Sequence, residues 1–156
     1  MTIGLTITGF EQTQEEMLRV EKRVLVATDN SIFKTGLLVQ AEAQLKTPVD
    51  LGNLKASAFT IGKNLQIAGG SFTGDDAGQL ASDSTDAINN QKGKVLSREL
   101  QNKKTVVVGF SANYAWWVHE IPARHEVGDW KFLERSMLEN GGTLLSNLSS
   151  DIGKVL

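Results

Sequence analysis

The sequence predicts an α+β fold, an antiparallel sheet flanked by a long N-terminal helix and a C-terminal helix. Three observations carry that prediction. A proline-free run with helical spacing extends from Thr13 to Lys46. Short β-favouring segments follow between Ala56 and Phe110. A second run with helical spacing begins after Asp129.

The elements follow in order. Ile3, Leu5 and Ile7 alternate with Thr2, Gly4, Thr6 and Thr8, a period of two that predicts a strand ending at Gly9. Thr13 followed by Glu16 reads as a capping box. Beyond it, Met17, Val20, Val24, Ala27, Ile32, Val39 and Ala43 recur near three and four residues apart. A single helix there has about 33 residues and a length on the order of 50 Å. The alternative is a break near Asp29–Ser31 or at Gly36. An unbroken helix is too long for one small domain to cover, so part of it is expected to meet a neighbouring subunit. Pro48 stops it, and Asp50 is placed to cap a short turn through Leu54. Ala56–Ala68 predicts two short strands or one bent strand around Gly62-Lys63-Asn64. Val95–Leu100 and Thr105–Phe110 are further strand candidates; the second, apolar on both faces, is expected to be covered on both sides. Tyr114–Glu120 predicts a short helix. Asp129 is placed to cap the last helix, whose apolar face runs through Phe132, Leu133, Met137, Leu144, Leu148, Ile152 and Val155, with a break expected at Gly141-Gly142.

Residues 69–94 differ in character. They are rich in Gly, Ser and Asp, and carry Asp75, Asp76, Asp83 and Asp86 before the first base at Lys92. So polar a run buries too little apolar surface to order itself. It reads as a flexible insertion within a single domain spanning 1–156, either simply solvated or serving as a channel or assembly loop.

Composition narrows the function. The chain has 156 residues, 40% apolar and 22% charged, as expected for one globular domain with one core. A formal net charge of -2 gives no basic footprint for tight nucleic-acid binding. Absence of cysteine excludes disulfides and thiolate metal sites. The first ten residues lack the pattern of a signal peptide, and no apolar stretch approaches the roughly 18 residues of a membrane span, so no membrane association is expected.

The richest stretch is 114–134, which holds all three tryptophans, both histidines and the only tyrosine. His119-Glu120 and His125-Glu126 suggest a metal site, but their spacing is H-E-x4-H-E rather than H-E-x-x-H, and Pro122 interrupts any helix carrying both. A polar pair holding a turn fits better. No serine lies in a G-x-S-x-G elbow, and Gly69-Gly70 and Gly141-Gly142 match no phosphate-binding fingerprint. No catalytic residue, metal or cofactor is therefore expected. Adjacent helical residues point about 100° apart, so one of Trp116 and Trp117 is expected in the core and the other at a groove or partner; bent geometry burying both is the alternative. Tyr114, Trp116, Trp117, His119, Glu120, Phe132 and Leu133 are the candidate packing and interface residues.

Three ordered segments carry a resemblance. Thr47-Pro48-Val49-Asp50-Leu51-Gly52-Asn53-Leu54-Lys55 follows the long helix as a P-V-D-T-G-x-L turn does. Val106-Val107-Val108-Gly109-Phe110 and Tyr114-Ala115-Trp116-Trp117-Val118-His119-Glu120 correspond to V-x-V-G followed by Y-A-x-x-V-H-E. Arg124-His125-Glu126-Val127-Gly128 and Lys131-Phe132-Leu133-Glu134 correspond to H-x-V-G and K-F-L-E. Across about residues 15–156 the chain resembles the small neck or tail-completion proteins of long-tailed bacteriophages, the gene-ten-type head–tail joining proteins. Leu51 stands where that family has Thr, and the 69–94 insertion exceeds the family's minimal hairpin.

The resemblance implies a structural virion protein rather than an enzyme, made in the bacterial host cytoplasm. It implies a homo-oligomeric ring at the head–tail junction or the top of the tail tube, in a neck, tail-completion or tail-terminator role. Sixfold symmetry is expected by analogy with tails, twelvefold being the alternative. Connector or head-closure proteins and tail-tube proteins would be neighbours, and genomic DNA would pass through without sequence-specific contact. In a channel, Asp75, Asp76, Asp83 and Asp86 would repel it. The rival readings are a monomeric or dimeric assembly adaptor or chaperone, and a metal-dependent hydrolase built on His119 and His125.

Overall fold

The computed structural model describes residues 9–49, 52–62, 66–68, 70–95, 104–122 and 128–156. The strand expected at Ile3–Ile7, the Asp50 cap, the strand expected after Val95 and His125 lie outside them. The described chain is mostly helical, with a small antiparallel sheet, a long N-terminal helix and a C-terminal helix, broadly α+β. In order the elements are α1 (Phe10–Lys46), α2 (Asn53–Ala56), β1 (Ala58–Ile61), β2 (Gln66–Ala68), α3 (Ala77–Val95), β3 (Val107–Phe110), α4 (Ala115–Glu120) and α5 (Phe132–Gly153).

Helix α1 is one rod of 37 residues, about 55 Å long. It starts a turn earlier than the capping box predicts. Thr13 donates its hydroxyl back to the Gly9 carbonyl at 3.0 Å, so it lies inside the helix. It is unbroken, as its periodicity predicts, and the alternative break near Asp29–Ser31 or at Gly36 does not occur. The hydroxyls of Thr28 and Thr35 donate to the carbonyls four residues earlier, at 2.8 and 3.0 Å, so neither competes for other backbone groups. Gly36 marks a close approach rather than a break: a Cβ there would lie 2.8 Å from Val106 Cγ2 and 3.1 Å from Thr60 Cγ2. The helix ends at Lys46, and Thr47 turns into extended backbone before Pro48, as the proline demands.

The sheet order is β2-β1-β3, all antiparallel. Central β1, rather than the 105–110 segment, is the fully buried strand; β3 is half-buried along its length. Alternation along β1 divides its contacts. Phe59 and Ile61 join Ile88 of α3 in one cluster, while Thr60 donates to Gln40 of α1 at 2.5 Å from the opposite face. The sheet thus lies between α1 and α3, and α5 covers the other side of α1.

Polar rungs hold α5 antiparallel to α1. Lys46 pairs with Glu139, Asn140 donates to Glu42 at 2.7 Å, Asn147 to Thr35 at 3.3 Å, and Lys34 to Asp151 at 3.0 Å. The face of α5 buried on this seam includes Phe132, Ser136 and Asn140; Met137, assigned by its spacing to the apolar face, is exposed. Gly141-Gly142 does not break α5, because rungs at Asn140 and Asn147 hold both sides. Asp129 is not the cap. Lys131 occupies that position in left-handed backbone, φ 53, and Asp129 forms an ion pair with Arg135.

The insertion also departs from expectation, since most of it forms α3. Only a narrow stripe is buried, Ser84 and Ile88, one turn apart. Ile88 enters the Phe59–Ile61 cluster, and Ser111 Oγ donates to Ser84 Oγ at 2.7 Å. The segment before α3 is tied by Asn53, whose amide donates to the Thr73 carbonyl and accepts from the Thr73 N–H, both at 2.8 Å. One apolar residue and a few well-placed polar bonds order what mean polarity alone would leave loose.

Opposite outcomes are expected at two helical glycines. Gly141→Ala meets nothing within 4 Å and should stabilise by about 0.5–1 kcal/mol. Gly36→Ala must push Val106 and Thr60 apart and should destabilise by about 1–3 kcal/mol despite better helix propensity. Urea midpoints with unchanged slopes check both. Hydrogen bonds from Lys34 and then Lys154 hold the Asp151 carboxyl below the usual aspartate range. A depressed folded value stabilises above the unfolded value and is lost as pH falls through the folded one. Asp151→Asn should therefore be less stable than the parent at neutral pH, with the difference closing under acid, as measured by paired urea titrations across pH.

Candidate functional site

The first resemblance segment is distant in sequence from the other two, and described residues of all three meet at Phe132, which is 1% exposed. Its cluster contains Ala43, Leu54, Ala112 and Ala115, with Phe110, Tyr114, Val118 and Leu133 packed against it. Phe110 meets the Phe132 ring edge-on at 4.9 Å, and His119 does so at 5.0 Å. Burying a phenylalanine among such partners contributes about 1.5–3 kcal/mol.

Backbone contacts lock the same junction. Asp129 N donates to the Lys46 carbonyl at 2.7 Å, and Lys131 N to the His119 carbonyl at 2.9 Å. Gly128 (φ 95) lies against Thr47 and Pro48 so closely that a Cβ would collide with their backbone. Only glycine meets both demands at low cost. Gly109 has a separate reason: it stands opposite Phe59 in the β1–β3 register, and a Cβ would lie 2.8 Å from Phe59 Cζ. Each glycine of these two segments marks a place where backbone meets a neighbour.

His119 serves this geometry through both ring nitrogens. Nδ1 lies 2.8 Å from Glu120 Oε1, and Nε2 accepts from the Glu134 N–H in the first turn of α5 at 3.5 Å. A neutral ring with its proton on Nδ1 satisfies both. The imidazole thus meets one of the N–H groups in the first turn of α5 that have no partner within the helix. Lys131 donates to Glu134 at 2.6 Å. That bond holds the Lys131 ammonium above its ordinary value and the Glu134 carboxyl below its own, so both remain charged at neutral pH. Among the described residues, no three His, Asp or Glu side chains converge as a metal would require.

The tryptophans differ from the expectation that one is buried. Trp116 is 62% exposed and Trp117 59%, packed edge-on against each other at 4.9 Å. Ala115 and Val118 turn α4 toward the core, which leaves the intervening pair outside; exposed Ile121 follows them in sequence. Trp130, with the Lys131 ammonium 5.7 Å from its ring centroid, is half-buried.

The four acids do not join this junction. Asp75 and Asp76 lie exposed just before α3, and Asp86 is exposed on it. Asp83, half-buried, accepts from Gln79 Nε2 at 2.7 Å. Sequence reasoning missed Asn53, Gln40 and Gly36 as organisers. Asn53 lies in a segment already singled out, Gly36 signals in the sequence only a possible helix break, and pairing of Gln40 with Thr60 has no local signature.

No family model, no curated protein and no solved structure matches this chain.

Phe132→Ala should cost about 3–5 kcal/mol. Trp116→Ala and Trp117→Ala should each change the stability of the isolated chain by about 1 kcal/mol or less, since both side chains are mainly exposed. Denaturant unfolding of the three variants distinguishes core from display.

Proposed function

We propose that this protein is a structural virion component of a long-tailed bacteriophage, forming a homo-oligomeric ring at the head–tail junction or the top of the tail tube. The observation that carries the reading is the uncovered first half of α1. Every fully buried residue of α1 falls between Ser31 and Ala43, whereas Phe10, Met17, Leu18, Leu25 and Val26 are exposed. The last rung to α5 is Lys34–Asp151, so about 36 Å of α1, from Phe10 to Lys34, extends beyond it. Exposed apolar residues on a projecting helix suit a neighbouring subunit. The ordered segments supply the class, and their convergence on Phe132 gives them a common structural purpose. Sixfold closure through a head-to-tail contact fits tail symmetry, with connector and tail-tube proteins above and below and DNA passing through.

Native mass spectrometry and negative-stain imaging test the reading. Closed rings are expected. Met17→Glu with Leu18→Glu should abolish them while leaving the unfolding midpoint of the single chain nearly unchanged. A chain that stays monomeric or dimeric, both alone and with its genomic neighbours' products, would favour the adaptor reading. A gene position between portal and major tail genes is the expected context.

A further inference from the structure

We propose that the groove between α1 and the end of α5 receives the acidic outer face of α3 from a second copy of the chain. The inference rests on the ring reading and names its contact. The groove is open, about 480 Å³, and is lined by Lys22, Arg23, Lys34 and Lys154 with one carboxylate, Asp151. Asp151 is already engaged by Lys34 at 3.0 Å and Lys154 at 3.3 Å. Among the described residues, neither Lys22 nor Arg23 meets a carboxylate. Val26 and Val155 add apolar surface to the same groove.

The occupant is argued from complementary charge. From Gly70 to Gln91 the chain carries Asp75, Asp76, Asp83 and Asp86 and no base. Asp83 and Asp86 lie one turn apart on α3, beside exposed Ser82, whose small side chain lets another surface come close. Among the described residues, none of these four acids has a cationic partner. Unpaired cations on one patch and unpaired carboxylates on another attract across copies.

A chain cannot satisfy its own groove. Helix α3 covers the β1 face that carries Phe59 and Ile61, whereas α1 covers the face that carries Thr60. The two patches therefore lie on opposite sides of the sheet. Contact between unlike patches is heterologous, and such contacts close into rings when the rotation permits. Screening makes an exposed charge contact salt-sensitive.

Charge exchange tests the pairing, with assembly of the full chain read by sedimentation velocity and native mass spectrometry. D83K/D86K has a basic α3 and a basic groove; K22E/R23E has an acidic α3 and an acidic groove. Each variant alone should associate at least about tenfold more weakly than the parent, and the parent should weaken similarly between about 0.05 and about 0.5 M salt. An equimolar mixture of the two variants should assemble again, because each basic patch then meets an acidic one. Rings that survive both reversals would overturn this contact and leave the ring reading standing. A parent that never self-associates, with or without its neighbours, would overturn both. Assembly indifferent to K22E/R23E, combined with short duplex DNA binding lost in that variant, would overturn the contact and assign the groove to nucleic acid.

Discussion

Coverage of α1 from two sides is the constraint on which the other elements depend. Its second half lies between α5 and the sheet, so one stretch of helix must satisfy two neighbours. Gly36 lets β1 and the chain before β3 come close, and Gln40 bonds Thr60 from the sheet. On the other side Lys34, Thr35, Glu42 and Lys46 meet α5. A helix serving two layers needs small and hydrogen-bonding residues where a one-sided helix would use leucine. That explains why Ser31, Thr35 and Gln40 are buried while Leu38 and Leu45 are exposed.

The same fact explains what was legible in the sequence. The long helix, its end before Pro48, the short strands and the C-terminal helix follow from local rules. Periodicity of apolar residues then misplaces parts of the core, assigning Met137 to a buried face and omitting Gln40 and Ser136. The expected break at Gly141-Gly142 fails, and Gly36 leaves α1 continuous, because tertiary contacts outweigh a propensity cost of about 1 kcal/mol per glycine. Helix α3 escaped notice because Ile88, Ser84 and the Asn53–Thr73 pair supply the order that composition lacks. Such bonds depend on partners distant in sequence.

The aromatic cluster divides into two roles. Phe132, Tyr114 and His119 belong to the junction, where sheet, short helix and terminal helix share one core. Trp116 and Trp117 occupy the other side of α4 and remain uncovered. The clustering of these residues was visible in the sequence; its division between inside and outside was not. Adjacent positions on so short a helix share a single buried edge, and Ala115 and Val118 occupy it. The site's polar groups act on backbone: His119 receives the first turn of α5, and its carbonyl receives Lys131.

Continuity of α1 has a mechanical consequence. Its grip on the sheet centres near Gly36, and Phe10 lies 26 residues away along an unbroken rod, about 39 Å. The helix is therefore a lever with its fulcrum inside the domain. A tilt of about 5° at the fulcrum moves the tip by about 3 Å, close to the width of an atom. Strain applied at the tip is carried along the helix past the Lys34–Asp151 rung toward the Gln40–Thr60 bond, where helix and sheet meet with little room to yield.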